Sequence, residues 1–166
     1  MPQPPVLPKP ADIQLSPHFW LSEFTTSQTA IRLNLDNTPS PTVVFALARL
    51  AALLERVRDV CGGRPIVISS GYRCMTLNSL VGGAAASAHM AGLAADIVVP
   101  GLPLATLCRT LAASAVMEEV DQLIHEGGWA HVALAPVGIK PRRQTLTAMF
   151  SARGVTYRPG LPLMPA

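Results

Sequence analysis

Two of the four histidines in this chain stand where metal chemistry would need them. In Ser87-Ala88-His89-Met90-Ala91-Gly92-Leu93-Ala94-Ala95-Asp96 an imidazole and a carboxylate lie seven residues apart among small, mostly apolar residues. A second imidazole follows in Gly127-Gly128-Trp129-Ala130-His131-Val132, just after the carboxylate Glu126. Two His, one Asp and a spare Glu make the donor set of a catalytic zinc site, in which three protein ligands leave one tetrahedral position open. The reading is a zinc-dependent hydrolase with Zn2+ as its cofactor.

The elements that would carry these groups can be read outward from them. Ala94-Ala95-Asp96-Ile97-Val98-Val99 predicts a strand ended by Pro100-Gly101, with His89 on the loop before it and a reversal at Gly92 bringing His89 and Asp96 together. Val120 to Glu126 and Trp129 to Leu134 predict a hairpin around Gly127-Gly128, which sets Glu126 and His131 near one another at its end. His125 should then face the opposite side of its strand. Pro65-Ile66-Val67-Ile68-Ser69-Ser70 reads as a buried strand, followed by Gly71-Tyr72-Arg73, where Arg73 either points into a cleft or is a solvated loop cation.

Behind these strands a spine is needed. Ser40-Pro41 is a helix start, and Val43, Val44, Leu47, Leu50, Leu53, Leu54, Val57 and Val60 recur at three and four residues, up to a Gly62-Gly63 stop. Leu104 to Met117 predicts a second helix, and Met75 to Leu80 a helical turn. Residues from Leu15 to Thr29 should strap the domain, with Ser22 and Ser27 as candidate caps and His18 as a surface or partly packed histidine. Pro141 to Met149 alternates in part, predicting an edge strand, and Pro-rich coil is expected beyond Gly154. The expected fold is α+β, one domain with a mainly antiparallel sheet and packed helices: a flexible Pro-rich tail over 1–14, the domain over 15–155, and C-terminal coil over 156–166.

Composition agrees with one globular unit. At 166 residues, with 49% hydrophobic and 14% charged residues, the chain can bury roughly 70% of its unfolded surface. Its longest apolar runs contain Arg49, or His89 and Asp96 with Pro100 and Pro103, so neither gives the roughly 20 clean residues of a membrane span. The Pro-rich N-terminus lacks the apolar core of a secretory signal, so synthesis into the cytoplasm is expected. Cys61, Cys74 and Cys108 are odd in number and show no C-x-x-C spacing, which argues for reduced thiols and against a thiolate metal site. A net charge of +3, clustered only at Lys140, Arg142 and Arg143, suits an acidic polymer such as a bacterial cell wall better than nucleic acid. A monomer without nucleic-acid or membrane partners is expected.

Taken together, Ser70-Gly71-Tyr72-Arg73, then Ser87-x-His89-x-x-Gly92-x-Ala94-x-Asp96, then Trp129-Ala130-His131-Val132, resemble the zinc D-Ala-D-Ala carboxypeptidases and related peptidoglycan peptidases of the M15 type. The resemblance covers roughly Phe19 to Phe150 and is strongest to short phage and prophage members. It implies the fold shared with hedgehog signalling domains, and makes His89, Asp96 and His131 the zinc ligands. Arg73 would hold a substrate carbonyl or carboxylate, and Glu126 would be the general base, with His125 next in line. Some relatives carry their acidic residue three positions before the last histidine, where this chain has Gly128; Glu126 is five before it. The implied substrate is a peptidoglycan stem peptide, cleaved as a carboxypeptidase or endopeptidase after lysis or phage-dependent release. The alternative is a catalytically silent zinc domain that binds cell wall or a protein.

Overall fold

A computed structural model describes residues 12–162. Most of the expected tail over 1–14, and the last residues of the expected coil, lie outside the described residues. The chain opens with a small ribbon, β1 (Gln14–Ser16) and β2 (Phe19–Trp20), then two short helices, α1 (Leu21–Thr25) and α2 (Gln28–Arg32). The spine follows as α3 (Pro41–Val60), and β3 (Val67–Ser70), α4 (Met75–Leu80) and β4 (Ala94–Val98) come next. After α5 (Leu104–Ala112) the chain forms the hairpin β5 (Val120–His125) and β6 (Ala130–Leu134), then β7 (Gln144–Ser151) and β8 (Gly154–Pro159).

The spine forms for the reasons its sequence suggests. Ser40 Oγ accepts from Val43 N at 3.4 Å, Pro41 takes the first turn, and Gly62 and Gly63 sit at φ +74° and +72° to end it. Leu47, Leu50, Leu53, Leu54 and Val57 along its stripe are fully buried. They pack with Leu107 and Leu111 of α5 and with Ala95, Ile97, Leu123, Ala130 and Val132 of the sheet. Burying each such aliphatic side chain is worth about 1.5–3 kcal/mol, so this layer is the main source of stability.

The six-stranded sheet has the order β3-β4-β6-β5-β7-β8. Every neighbouring pair is antiparallel except β5 with β7, which is parallel. One face carries the helices. Because side chains alternate along a strand, the register lays a second row across the other face: Ser70 opposite Asp96, Asp96 opposite His131, His131 opposite Ile124, and Ile124 opposite Leu146.

Several expectations need correction. The 66–70 run is an edge strand, with Val67 half exposed, because only β4 pairs with it; a β-branched run does not reveal how many neighbours it has. The expected edge strand near 141–149 is instead internal, flanked by β5 and β8. Where coil was expected over 156–166, β8 continues the sheet to Pro159, whose missing N–H is tolerated on an edge strand at its last position. The helix expected over 104–117 stops at Ala112: Ser114 N and Oγ both donate to Leu111 O, and a separate 3-10 turn spans Ala115–Glu118. Ser27 caps α2, but Ser22 lies inside α1, whose start is closed by Trp20 N donating to Glu23 Oε2 at 2.7 Å.

The remaining groups have structural roles. His18 Nδ1 lies 2.8 Å from Glu55 Oε2, tying the ribbon to α3. All three cysteines are free thiols, and burial pushes Cys108 up to about 12. No helix among the described residues is long and apolar enough to cross a membrane.

Candidate metal centre

The site lies on the sheet face that the core helices leave uncovered. It opens into a cleft of about 1320 Å³ whose lining includes Arg73, His89, Asp96, Glu126 and His131. His125 pairs with Ala130 and is not among the lining residues, in keeping with the opposite facing expected of it.

Each group is delivered by a specific device. His89 sits on a 3-10 turn, Ala88–Ala91, and Gly92 at φ +69° reverses the chain into β4. A side chain at Gly92 would also press on Val43, its Cβ meeting Val43 Cγ1 and O at 2.9 Å, so the reversal is packed on the spine. Asp96 and His131 face each other across the β4–β6 pair.

The three donor groups converge. His131 Nδ1 lies 2.9 Å from Asp96 Oδ1 and 3.2 Å from His89 Nε2, and His89 Nε2 lies 3.2 Å from Asp96 Oδ1. A tetrahedral zinc with bonds near 2.0–2.1 Å sets its donor atoms about 3.3 Å apart, so the present spacing fits that ion closely. All three residues are buried. Burial opposes ionisation of Asp96, yet hydrogen bonds from His131 and His89, reinforced by their charge, hold its carboxyl well below the usual range.

The surroundings fix the donors. His89 Nδ1 lies 2.7 Å from Gly71 O; a carbonyl can only accept, so Nδ1 is protonated, and a metal would take Nε2 in exchange for the proton that Nε2 shares with Asp96. Gly71 itself is pressed against α1: a Cβ there would meet Phe24 O at 2.4 Å and Phe24 Cα at 2.7 Å. Gly71→Ala is therefore expected to push the strap off β3, lower thermal stability and weaken metal affinity by about 10- to 100-fold, the scale of losing a group that orients a ligand. Thermal denaturation with and without added zinc would measure both effects.

Arg73 is the cation of the site. Its Nη2 lies 3.5 Å from Asp96 Oδ2, its side chain is 15% exposed, and its Nε is buried without a protein partner. Sequence reading left open whether Arg73 was a solvated cation; it lines the cleft. Asn37, which the sequence did not single out, positions that loop: its Nδ2 donates to Thr25 O and Tyr72 O, and its Oδ1 accepts from Cys74 N at 2.8 Å. Glu126 lines the same cleft, and its Oε2 accepts from Trp129 Nε1 at 2.8 Å across the Gly127-Gly128 turn.

An α+β domain with a buried His–Asp–His donor set, opening on a cleft beside an arginine and a glutamate, is the kind of frame that metallohydrolases use. The family model described as Peptidase M15 matches residues 17–133, and the chain belongs to that family. Over 60 residues it is 46% identical to a protein of Streptomyces albus G named zinc D-Ala-D-Ala carboxypeptidase, a stretch covering 33% of this chain and 24% of that relative. The match thus spans about a quarter of the relative's length.

Proposed function

We propose that this protein is a zinc metallopeptidase that hydrolyses an amide bond in bacterial peptidoglycan stem peptides. The convergence of His89 Nε2, Asp96 Oδ1 and His131 Nδ1 within 3.2 Å of one another carries the reading, and the name of the Streptomyces relative supports both the metal and the substrate class. These three residues would hold the zinc. When bound, the ion supplies Lewis acidity, polarising a carbonyl and making water a stronger acid.

The chain's own groups do the rest. Glu126 accepts the proton of the attacking water and passes it to the leaving amine; Trp129 on its Oε2 orients the carboxylate for that transfer. Arg73, which lines the cleft, offers its guanidinium to the substrate carboxylate or to the oxygen that gains charge during attack.

Arg73→Ala is expected to retain zinc while losing on the order of a hundredfold in kcat/KM. Metal analysis alongside peptide hydrolysis separates this from the solvated-cation reading, in which hydrolysis would be unchanged. Digesting purified peptidoglycan and identifying the new termini by mass spectrometry tests the function itself. A terminal D-Ala released alone marks a carboxypeptidase, and larger fragments mark an endopeptidase. Loss of turbidity in a cell-wall suspension would support the lysis role that short phage members suggest; walls left intact, with no new termini, would count against the whole reading.

A further inference from the structure

Two rows of side chains run side by side across the open face of the sheet. The first starts from a metal donor: His131 stands opposite Ile124, and Ile124 opposite Leu146. Two residues along the same strands, Ala133 stands opposite Gln122, and Gln122 opposite Gln144. Residues of both rows line the cleft. Strands rise about 3.4 Å per residue and lie roughly 4.8 Å apart, which puts the two glutamines about 8–12 Å from His131. An extended peptide, at roughly 3.3–3.6 Å per residue, covers that distance in about two to three residues. Ala133, with only a methyl group, leaves the floor between them open.

The glutamines are paired, Gln122 Nε2 donating to Gln144 Oε1 at 2.8 Å. A primary amide has two N–H donors and a carbonyl acceptor, so this bond leaves Gln122 Oε1 as an acceptor beside Gln144 Nε2 as a donor. Reversing both amides would leave the same complement of one donor and one acceptor. Both residues are partly exposed, and a peptide unit, with one C=O and one N–H, is the group that matches them. Arg142 secures the arrangement: its backbone N donates to Asp121 Oδ1 at 2.9 Å and its Nη2 to Asp121 Oδ2 at 2.6 Å. That clasp ties the start of β7 to the start of β5 and holds the two amides in register.

We propose that Gln122 and Gln144 form a subsite that binds an amide of the substrate peptide about two to three residues from the scissile bond. The cleft then selects peptides that extend well past the metal. That the bound peptide is also cleaved rests on the peptidase reading above; binding by the amide pair does not.

Gln122→Met/Gln144→Met removes both amides at nearly constant volume, so zinc content and melting temperature should match the wild type. On a peptidoglycan stem pentapeptide KM should rise on the order of tenfold with kcat unchanged, the signature of losing two hydrogen bonds away from the reacting atoms. Among pentapeptides shortened residue by residue from either end, one step should cost the wild type that same factor and the double variant nothing. Gln144→Glu, the second test should the double variant not fold, still accepts from Gln122 but turns the outward donor into an acceptor; it should raise KM for the pentapeptide too. Unchanged KM in folded, zinc-loaded variants, or equal losses on every shortening in both proteins, would overturn the proposal. If the wild type cleaves no peptide, the proposed function fails, and titration calorimetry with the pentapeptide decides the subsite. A Kd weakened about tenfold in the double variant supports it; an equal Kd, or no binding to the wild type, overturns it.

Discussion

His89→Ala is expected to release the metal and reduce hydrolysis to background. Among the described residues the group that could hold a metal is His89, Asp96 and His131, so the substitution leaves two donors of three. The substitution also strands Gly71 O, which loses the Nδ1–H it now accepts, leaving a buried carbonyl unpaired at about 1–3 kcal/mol. Elemental analysis of the purified variant gives the first readout. A second needs no substrate: a ligand that binds only the folded state stabilises it by about 2.7 kcal/mol at a hundredfold excess over Kd. Added zinc should therefore raise the melting temperature of the wild type and leave that of His89→Ala unmoved. Unchanged zinc content in the variant would remove the metal centre altogether.

The donors were legible in the sequence because each sits in a locally decisive context. Gly92 announces the reversal that returns His89 to Asp96, and Gly127-Gly128 announces the hairpin that brings His131 alongside. The spine was equally plain, since a period of three and four over twenty residues has no competing interpretation. What escaped were features set by neighbours distant in the chain. Whether β3 lies at an edge and β7 inside depends on which strands pair with them, and alternation within one strand carries no such information. The same limit hid Asn37, which lies in a loop and matters only because it grips Thr25, Tyr72 and Cys74 around Arg73. Strand β8 was hidden by a different error: Pro159 and the prolines after it suggested coil, but proline is acceptable at the end of an edge strand. The strap from Leu15 to Thr29 was recognised as packing, but its reach into the site through Phe24 and Gly71 was not, because a glycine chosen for close backbone approach looks like any other glycine in a loop.

Glu126→Gln should retain zinc and lose activity by about a hundredfold to ten-thousandfold, the usual contribution of a general base. Glutamine matches glutamate in shape, and its amide oxygen can still accept from Trp129 Nε1, so the turn at Gly127-Gly128 should keep its form. The change therefore isolates the capacity to take up a proton from the capacity to hold the hairpin. Departure from relatives that place an acid three positions before the last histidine does not weaken the expectation, because Glu126 lines the cleft from its own position while Gly128 offers no side chain. Near wild-type turnover in Glu126→Gln would make this residue a solvated carboxylate at the end of the hairpin. His125, the next candidate by sequence, is placed poorly to take over, since it pairs with Ala130 and stays out of the cleft lining. Comparing the zinc content and initial rates of Glu126→Gln with those of the wild type on one peptidoglycan peptide distinguishes the outcomes. Metal retained with activity lost supports proton transfer by Glu126, whereas a wild type that binds zinc and cleaves nothing supports the silent binding domain.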